Sequence, residues 1–408
     1  MAEIKEKTVD KESFFNYTKA RIGNLKLDRN VKVIDGKYLT KNVFDEKKKY
    51  LENTIFETSK TVESNTIRNL LQEEETSKIN SIMGINKWQK DEFPVILSHT
   101  LKFNPYKEFG KLESISGYFN YYHSYSNTLL LVPNIKHDAY PVIDGKTKRI
   151  NIIDVEGYLK FVKESYEILN YKNGLDIFVP LSLKFGITDI KTIANEYIKN
   201  EYFNIWIDFE SSSLLEPKIA QIKEFLGVYD DRGYFDKTII YATNIKREIT
   251  SHKMDVKTPA SDILTAITGA NIIGVNRDPL GRASKDKYQG LSSEEKKALL
   301  KNEREELIKH KRRIFDPVSY YYYKFESIPP HIDKNIVSAS NEHANVSYAN
   351  AILLDRELKN QTDYFLENSN VKGLIQNKEM IRNYENGKLV KSLFQKDTKT
   401  QSSIDDFF

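Results

Sequence analysis

The sequence predicts an α/β fold built on parallel strands, and three observations support this prediction. From about residue 96 onward, short apolar runs alternate with amphipathic stretches at helical spacing. The apolar runs lack polar alternation, which is typical of strands buried on both faces by covering helices. No G-x-G-x-x-G motif follows any of them. The number and length of these units fit a TIM-like (β/α)8 barrel better than a doubly wound open sheet, which remains the alternative.

Residues 1–95 are expected to form a separate, mainly helical N-terminal region that packs on the barrel. This part of the chain is polar and rich in Lys, Glu, Thr and Asn. Its apolar residues recur at loosely helical spacing between residues 45 and 80. These residues are Leu51, Ile55, Val62, Ile67, Leu70 and Leu71.

Residues 96–385 are expected to form the barrel and the helices that close it. The predicted strands are 128–133, 176–181, 203–209, 237–242 and 270–275, with a further aromatic strand at 320–325. The predicted helices are 155–169, 187–199, 217–226, 258–268, 292–313, 345–360 and 371–384. Thr258 as the cap and Pro259 in the first turn support the helix at 258–268. Residues 386–408 turn polar and predict a flexible tether.

Bulk composition limits the possible partners. The chain has 62 basic and 58 acidic residues, a net charge of +4, so any nucleic-acid contact must be a local patch. There is no cysteine, which excludes disulfides and thiolate zinc sites. No apolar run approaches the roughly 20 residues of a membrane span, and the start of the chain lacks a signal-peptide core. We therefore expect a cytoplasmic location, associated with the nucleoid, or a nuclear one in a eukaryote.

The last eight residues carry a specific apolar pattern, Q-x-x-I-x-x-F-F. Residues three and four apart share one face of a helical turn, so Ile404, Phe407 and Phe408 form one apolar plug. Gln401 lies one turn earlier and can make amide hydrogen bonds at its edge. Such a plug at the end of a polar tail is expected to need a pocket on another protein. The alternative is a frayed terminus with accidental aromatics.

These eight residues resemble the PIP box, the peptide by which client proteins dock on the ring-shaped DNA sliding clamp of the archaeal and eukaryotic type (PCNA). All the anchor positions of that motif are filled. The resemblance implies that Ile404, Phe407 and Phe408 enter a hydrophobic pocket of the clamp and that Gln401 enters a smaller polar one. It also implies a role in DNA replication or repair, with DNA as a second partner.

The body of the chain resembles the tRNA-guanine transglycosylase family, barrel enzymes that exchange a base in a nucleic acid. The best match is residues 258–274, T-P-A-S-D-I-L-T-A-I-T-G-A-N-I-I-G, which look like the family's T-P-x-D-L-L helix and the strand that carries its nucleophile. Residues 116–120 look like its D-S-G-G-F-Q segment, and residues 368–382 like a later helix. Arg277 and Arg282 fall where the family has an arginine-bearing loop.

The departures from this family concern its chemistry. The nucleophilic Asp falls on Gly274, and the second Asp falls on Ile115. The glycines that let a base lie against the backbone fall within residues 206–211, and the zinc site cannot form without cysteine. Base exchange needs a carboxylate that attacks the sugar and a group that manages protons, which neither Gly nor Ile can supply. The family reaction therefore does not follow from the resemblance.

Carboxylates at the strand ends are the candidates for other chemistry. Reactive groups of barrels lie at the carboxyl ends of strands, and this rule selects Asp208, Glu210 and Asp278. Asp208 and Glu210 are two residues apart and therefore share one face of a strand. Together with an arginine they could hold a phosphodiester, or a divalent metal through oxygen. The alternative is that Asp208 and Glu210 cap the following helix and that Asp278 opens a turn.

A second candidate surface combines cations with aromatic rings, which suits single-stranded nucleic acid. Its members are Lys309, Lys311, Arg312, Arg313, Tyr321 and Tyr323, together with Arg277 and Arg282. The alternative is a helix terminus followed by an aromatic strand whose alternate rings face the core.

Two functional hypotheses therefore remain. The first is a clamp-tethered binding or architectural protein, a transglycosylase-like barrel without its nucleophiles that recognises DNA or a partner. The second is a clamp-tethered enzyme acting on DNA bases or backbone through Asp208, Glu210 and Asp278. The missing Asp pair favours the first. No cofactor is expected, and a divalent metal only under the second, since the His residues form no metal motif.

Overall fold

The computed structural model of the chain describes residues 2–37, 39–139, 142–143, 146–147, 150–171, 174–249, 256–277, 290–311, 313–337, 343–383 and 388–394. Its strands are, in chain order, β1 (Glu3–Val9), β2 (Asn16–Ile22), β3 (Leu25–Leu27), β4 (Val31–Lys32), β5 (Ile34–Asp35), β6 (Phe56–Val62), β7 (Val95–Leu101), β8 (Leu129–Leu131), β9 (Asn134–Ile135), β10 (Asp138–Ala139), β11 (Val142–Ile143), β12 (Lys146–Thr147), β13 (Ile150–Asn151), β14 (Asp176–Ser182), β15 (Asn204–Asp208), β16 (Ile239–Thr243), β17 (Lys257–Pro259), β18 (Ile272–Ile273), β19 (Arg313–Asp316) and β20 (Tyr321–Lys324).

The helices follow most of the parallel strands. They are α1 (Lys41–Lys47), α2 (Ser64–Gln72), α3 (Thr76–Met83), α4 (Lys87–Glu92), α5 (Pro105–Phe109), α6 (Ser116–Tyr125), α7 (Val155–Asn170), α8 (Ile187–Lys199), α9 (Glu216–Asp231), α10 (Ser293–Lys311), α11 (Lys334–Val337), α12 (His343–Asn368), α13 (Lys372–Gln376), α14 (Glu379–Asn383) and α15 (Lys388–Phe394). Local signals set some of their starts. The Asp154 side chain accepts from the Gly157 N–H at 2.8 Å to open α7.

The centre of the molecule is parallel β-structure, which confirms the α/β class. A six-stranded sheet has the order β4-β18-β16-β15-β14-β8, and a four-stranded sheet has the order β5-β6-β7-β9. The strands within each of these two sheets pair in parallel. The strand predictions at 128–133, 176–181, 203–209, 237–242 and 270–275 are confirmed in position.

The two sheets meet in two continuous stretches of chain, so the β-structure curls. β4 and β5 are separated only by Val33, and β8 and β9 only by residues 132–133. In the first stretch the hydrogen-bond partner changes between two successive residues. Val33 N–H bonds to Ile273 O of β18 at 2.8 Å, and Ile34 N–H bonds to Ile55 O, next to β6, at 2.9 Å. Hydrogen bonding is thus divided into two sheets rather than one unbroken ladder. Pro133, which has no N–H, lies at the second division.

The concave face of the curled sheets encloses its own apolar cluster. The members on the parallel strands and beside them are Val31, Val33, Ile55, Ile96, Leu129, Leu131, Phe178, Trp206, Ile239, Tyr241 and Ile272. The Trp206 indole N–H crosses this interior and donates to the Val132 carbonyl at 2.9 Å. The opposite face of the strands packs in the larger core with the helices. Burial on both faces explains why the middle parts of β14, β15 and β16 are apolar.

The N-terminal region differs from the prediction of a mainly helical segment. Residues 3–27 form an antiparallel sheet of order β1-β2-β3, whose Ala20, Ile22, Leu25 and Leu27 join the interior cluster. Gly23 N–H bonds to Asp176 Oδ2 at 2.8 Å, so this sheet lies at the amino-terminal ends of the parallel strands. The apolar residues of β2 alternate with period two, which the helical interpretation overlooked.

The expected boundary at residue 95 falls inside a sheet. β6 pairs with β7 along its whole length, from Phe56 with Val95 to Val62 with Leu101. Residues 31–62 therefore supply the first two parallel segments, and the helices α1 to α4 are interspersed with strands rather than forming a region of their own. The apolar residues of β6 were assigned to a helix because its inward-facing positions are polar.

Two further helix predictions were wrong. The stretch 258–268 contains β17 and a 3₁₀ turn at Asp262–Thr265, because residues 257–259 pair with β20 in an antiparallel sheet of order β17-β20-β19. The stretch 371–384 is two short helices, α13 and α14, rather than one. In the first case, cross-strand pairing overrides the local cap signal.

The carboxyl-terminal part of the body is packed, and the tether does not begin at residue 386 as predicted. α15 buries Leu389, Leu393 and Phe394 against the core. Residues 395–408 lie outside the described residues. Helix α12 is tied to the segment between β3 and β4 by a buried ion pair, Arg29 Nη2 to Asp355 Oδ2 at 2.7 Å. In the described part of the chain, no helix is both long and apolar enough to cross a bilayer.

Candidate functional site

Polar side chains replace apolar ones at the carboxyl ends of the parallel strands, and Asp208 lies at their centre. Its carboxylate is buried and accepts four hydrogen bonds. The donors are Thr100 Oγ1 at 2.8 Å, Asn134 Nδ2 at 3.0 Å, Asn244 Nδ2 at 2.9 Å and the Glu210 backbone N–H at 2.9 Å. These donors come from four different segments of the chain. Asp208 therefore connects the strand ends across the mouth of the curled sheet.

Glu210 lies two residues beyond Asp208, in the loop that follows β15. One carboxyl oxygen accepts from Ser182 Oγ at 2.6 Å, and the other, Oε2, is buried without a hydrogen-bond partner among the described residues. Burial raises the pKa of Glu210 to about 7, with the nearby Asp208 charge acting in the same direction. The ammonium groups of Lys184 and Lys136 oppose that rise. A carboxyl that titrates near neutral pH can act as both acid and base.

The backbone around these carboxyls adopts conformations that non-glycine residues avoid. Glu210, Ser211 and Asn244 have φ of 46°, 65° and 57°. Two bonds between neighbouring loops fix this geometry, Ser211 N–H to Asn244 O at 2.8 Å and Phe209 N–H to Thr243 O at 3.0 Å. Such strain is typical of functional sites, where the surrounding structure holds a side chain in place.

A second buried carboxylate, Glu57, lies in the interior of the curled sheets. It also accepts four hydrogen bonds, from Thr243 Oγ1 at 2.6 Å, Tyr241 OH at 2.5 Å, the Val275 backbone N–H at 2.8 Å and Ser98 Oγ. Burial raises the pKa of Glu57, and its hydrogen-bond donors act in the opposite direction. The side chain is fully buried, so we regard it as a support for the site.

Glu57 also explains the glycine at position 274. A Cβ atom on Gly274 would lie 2.3 Å from Glu57 Oε2 and 2.6 Å from the side chain of Thr243. No side chain fits there without displacing the carboxylate. The resemblance to the transglycosylases predicts a carboxylate on residue 274 itself. In the structure, the carboxylate at this position is that of Glu57, on β6.

A further cluster of polar residues lies beside β18, the last parallel strand. Asp262 Oδ2 accepts from Asn276 Nδ2 at 2.8 Å and from Tyr322 OH at 2.7 Å, and burial raises its pKa. Lys32 donates to Asn276 Oδ1 at 3.1 Å and to the Gly274 carbonyl, and burial lowers its pKa. These residues fix the end of β18 and its following loop.

The structure brings Asp208 and Glu210 together, while Asp278 and Arg282 lie outside the described residues. The alternative that Asp208 and Glu210 cap the next helix does not hold, because α9 begins at Glu216 after Leu215 and has no side-chain cap. Arg277 is half-buried and donates to Thr61 Oγ1.

The predicted surface of cations and rings is different in the structure. Arg313 is only 4% exposed and pairs with Glu248, so it cannot reach nucleic acid, which corrects that prediction. Tyr321 is buried and Tyr323 half-buried, because β20 is the central strand of its sheet. Lys257 lies over the Tyr321 ring at 4.3 Å.

Other members of this surface are described only in part or not at all. Lys309 and Lys311 lie in α10, and Arg312 lies outside the described residues. The PIP-box residues Gln401, Ile404, Phe407 and Phe408 also lie outside them.

Sequence reasoning missed Glu57 and three lysines near Glu210: Lys136, Lys184 and Lys218. The signal for two of these lysines was available. Lys136 and Lys184 each lie two residues after an inward-facing polar residue, as Glu210 does after Asp208. Within the described residues no three His, Asp or Glu side chains converge on a possible metal position. A cleft of about 450 Å³ against Glu3 and Arg21 lies at the opposite, amino-terminal end.

Comparison with known proteins gives no family. No protein-family model matches the chain, and no curated protein matches it. Solved structures match part of it. GH26C from Muricauda sp. MAR_2010_75 is 9% identical with a TM-score of 0.37, covering 61% of this chain and 80% of that one. The carboxyl transferase domain from Rhizobium etli pyruvate carboxylase with pyruvate is 10% identical with a TM-score of 0.34, covering 61% and 40%.

A third structure, the Cellulomonas fimi endo-beta-1,4-mannanase double mutant, is 9% identical with a TM-score of 0.35 and covers 62% of this chain and 64% of that one. This chain thus spans less than two thirds of the last two structures. Likenesses of this size carry no weight for the fold or the activity of this chain.

Proposed function

We propose that the parallel strands form a (β/α)8 barrel whose carboxyl-terminal mouth is the functional site. The pairing supports this assignment. Segment 31–35 pairs with β6, β6 with β7, β7 with segment 129–135, and that segment with β14. β14, β15, β16 and β18 follow in order, and β18 pairs with segment 31–35 again. Among the described residues, eight parallel segments in chain order therefore follow one another in a ring.

We propose that the chain is a client of a PCNA-type DNA sliding clamp. The observation that carries this proposal is the pattern of Gln401, Ile404, Phe407 and Phe408, which fills every anchor position of the PIP box. The packed helix α15 ends at Phe394, which leaves residues 395–408 to reach a partner. The barrel would then be brought to DNA by the clamp, and several clients could share one three-fold ring.

The docking energy can be bounded from the three apolar anchors. Burying one aliphatic and two aromatic side chains gains roughly 1.5–3 kcal/mol each. Ordering the tail and losing free rotation takes back a large part of this gain. We expect a dissociation constant in the micromolar range, about −8 kcal/mol.

Calorimetry with the full chain and the sliding clamp of the same cell tests this proposal. The double variant Phe407→Ala, Phe408→Ala should lose binding while its unfolding midpoint stays the same, because residues 395–408 follow the last packed helix. The control Ser402→Ala, Ser403→Ala changes positions of the same segment that are not anchors, and it should bind as the parent does. Undiminished binding by the aromatic double variant would place the docking site elsewhere.

We propose for the barrel a role in recognising DNA, and the carboxyl cluster favours catalysis as a second candidate. The specific observation is Glu210, whose pKa of about 7 and unpartnered oxygen suit general acid–base chemistry. Base exchange and metal-assisted phosphodiester chemistry are the reaction classes we consider. Labelled single- and double-stranded DNA, with and without divalent metal, should show turnover that Glu210→Gln abolishes. If the parent chain binds DNA without turnover, recognition of DNA remains the proposed role of the barrel.

A further inference from the structure

Three neighbouring strands present a repeated pattern at the barrel mouth. Beyond each inward-facing polar residue, a charged residue follows two positions later: Asn134 precedes Lys136, Ser182 precedes Lys184, and Asp208 precedes Glu210. Two hydrogen bonds join the three segments, from Asn134 Nδ2 to Asp208 at 3.0 Å and from Ser182 Oγ to Glu210 at 2.6 Å. β9 ends at Ile135, β14 at Ser182 and β15 at Asp208, so the three charged residues lie in a layer just beyond the ends of their strands.

Lys218 enters the same layer from helix α9. Its ammonium donates to the Leu183 carbonyl and to Gln221 Oε1 at 3.0 Å, which directs it toward the end of β14. Burial, together with the positive charge of Lys184, lowers the pKa of Lys218 to about 8. Two ammonium groups are therefore held close enough to repel each other. A bound anion would relieve that repulsion.

The lysines of this layer outnumber the carboxyl groups beside them. The side chains of Lys136 and Lys184 are both half-buried, and their positive charges act on Glu210. The carboxyl among them, Glu210, is partly protonated at neutral pH and has an unpartnered Oε2. Three lysines thus accompany two carboxyl groups, Glu210 and the buried Asp208, and only part of Glu210 is ionised, which leaves a net positive site with a free hydrogen-bonding oxygen.

We propose that Lys136, Lys184 and Lys218 hold a backbone phosphate of a single nucleic-acid strand, with Glu210 beside the same phosphodiester. The inference rests on the proposed role of the barrel in DNA recognition and adds where the strand lies. A phosphodiester carries one negative charge and two exposed oxygens. It therefore fits compact ammonium donors and a protonated carboxyl better than a metal-bound polyphosphate does. The nucleoside attached to that phosphate would lie near Asp208 and its amide neighbours Asn134 and Asn244.

The test measures binding of a fluorescein-labelled single-stranded oligodeoxythymidylate to the full chain by anisotropy over a range of salt. Each phosphate contact on a single strand contributes about 0.7 to the slope of log K against log salt. The proposed site binds one phosphate, so Lys136→Gln with Lys184→Gln should lower the slope by up to about 0.7 and weaken binding at low salt. The matched control, Lys191→Gln with Lys199→Gln, removes two exposed lysines of α8 and should leave the slope unchanged.

Further arms identify the ligand chemistry and guard against misfolding. A peptide nucleic acid of the same base sequence has an uncharged backbone and should not bind. The double arginine variant, Lys136→Arg with Lys184→Arg, keeps the charges and should retain binding if the glutamine variant fails only through lost charge. Glu210→Gln should bind at pH 8 at least as tightly as the parent does, because the neutral amide mimics the protonated acid.

An unchanged salt slope in the glutamine variant, or equal binding of the uncharged strand, would overturn this inference. Stronger binding of a small carboxylate or of inorganic phosphate than of the strand would do so too. None of these results bears on the clamp, since docking of the PIP-box segment (residues 401–408) is measured without DNA. A chain that docks on the clamp but shows no lysine-dependent strand binding would refute the phosphate site and leave the clamp proposal standing.

Discussion

Replacing Glu210 with glutamine should make the protein more stable at alkaline pH. The folded structure holds this carboxyl in a buried position beside Asp208, which raises its pKa from 4.5 to about 7. The folded state therefore binds the proton more tightly than the unfolded chain does. Between these two values the unfolded state loses its proton first, so stability falls as pH rises from about 4.5 to about 7 and then stays level.

The size of this effect follows from the two pKa values. A tenfold change in proton affinity corresponds to about 1.4 kcal/mol, so the change from 4.5 to about 7 corresponds to about 3 kcal/mol at most. Glu210 is half-buried, and screening by water reduces the measured value below this limit. The amide of glutamine has no such penalty because it carries no charge at any pH.

Urea unfolding of the parent and the Glu210→Gln variant at pH 5 and pH 8 measures the difference. The variant should gain roughly 1–3 kcal/mol over the parent at pH 8 relative to pH 5. The control Glu196→Gln removes an exposed carboxylate of α8 and should show no such difference between the two pH values. Parallel pH dependence of the parent and the Glu210→Gln variant would refute the argument that burial raises the pKa of this carboxyl.

Three other substitutions test the network around the site. Gly274→Ala should destabilise the protein by about 1–3 kcal/mol in thermal melts, because the new Cβ would lie 2.3 Å from the buried carboxylate of Glu57. The control Gly227→Ala places a Cβ where no atom lies within 4 Å, so it should be neutral or stabilising. Asp208→Asn should cost about 1–3 kcal/mol in urea unfolding, because the NH2 group of the asparagine would face hydrogen-bond donors where a carboxylate oxygen now accepts from them. An unchanged midpoint would contradict the four-donor geometry. Asp355→Ala should cost about 3–5 kcal/mol, because the buried Arg29 guanidinium would keep only the exposed Glu52 as an ion-pair partner, and a loss below 1 kcal/mol would show that the pair does not anchor α12.

The later strands could be predicted from the sequence because their environment is uniform. β14, β15 and β16 are buried on both faces, so they are apolar between the polar residues at their ends, such as Asp176 and Asn204 at the amino-terminal end. β6 could not be recognised in this way. Glu57, Ser59 and Thr61 alternate along it, and these polar positions conceal a strand because they face the interior of the curled sheets.

The candidate site was found in part for the same reason. Asp208 and Glu210 follow a readable strand, and the rule that reactive groups lie at strand ends selects them directly. Glu57 is distant in sequence from its partners Tyr241 and Thr243, and only the folded structure brings them together. The prediction for the cation–aromatic surface was wrong at Arg313, because this arginine is paired with a buried glutamate, which spacing along the chain cannot reveal.

Binding of the PIP-box segment to the sliding clamp is the measurement that tests the account most directly. A synthetic peptide of residues 395–408 would be titrated into the clamp of the same cell, with a peptide carrying alanine at Phe407 and Phe408 as the comparison. The account predicts saturable binding in the micromolar range, one peptide for each clamp subunit, and none for the alanine peptide. If the parent peptide gives no saturable binding, or if both peptides bind equally, the assignment of this chain to clamp-dependent DNA transactions is contradicted.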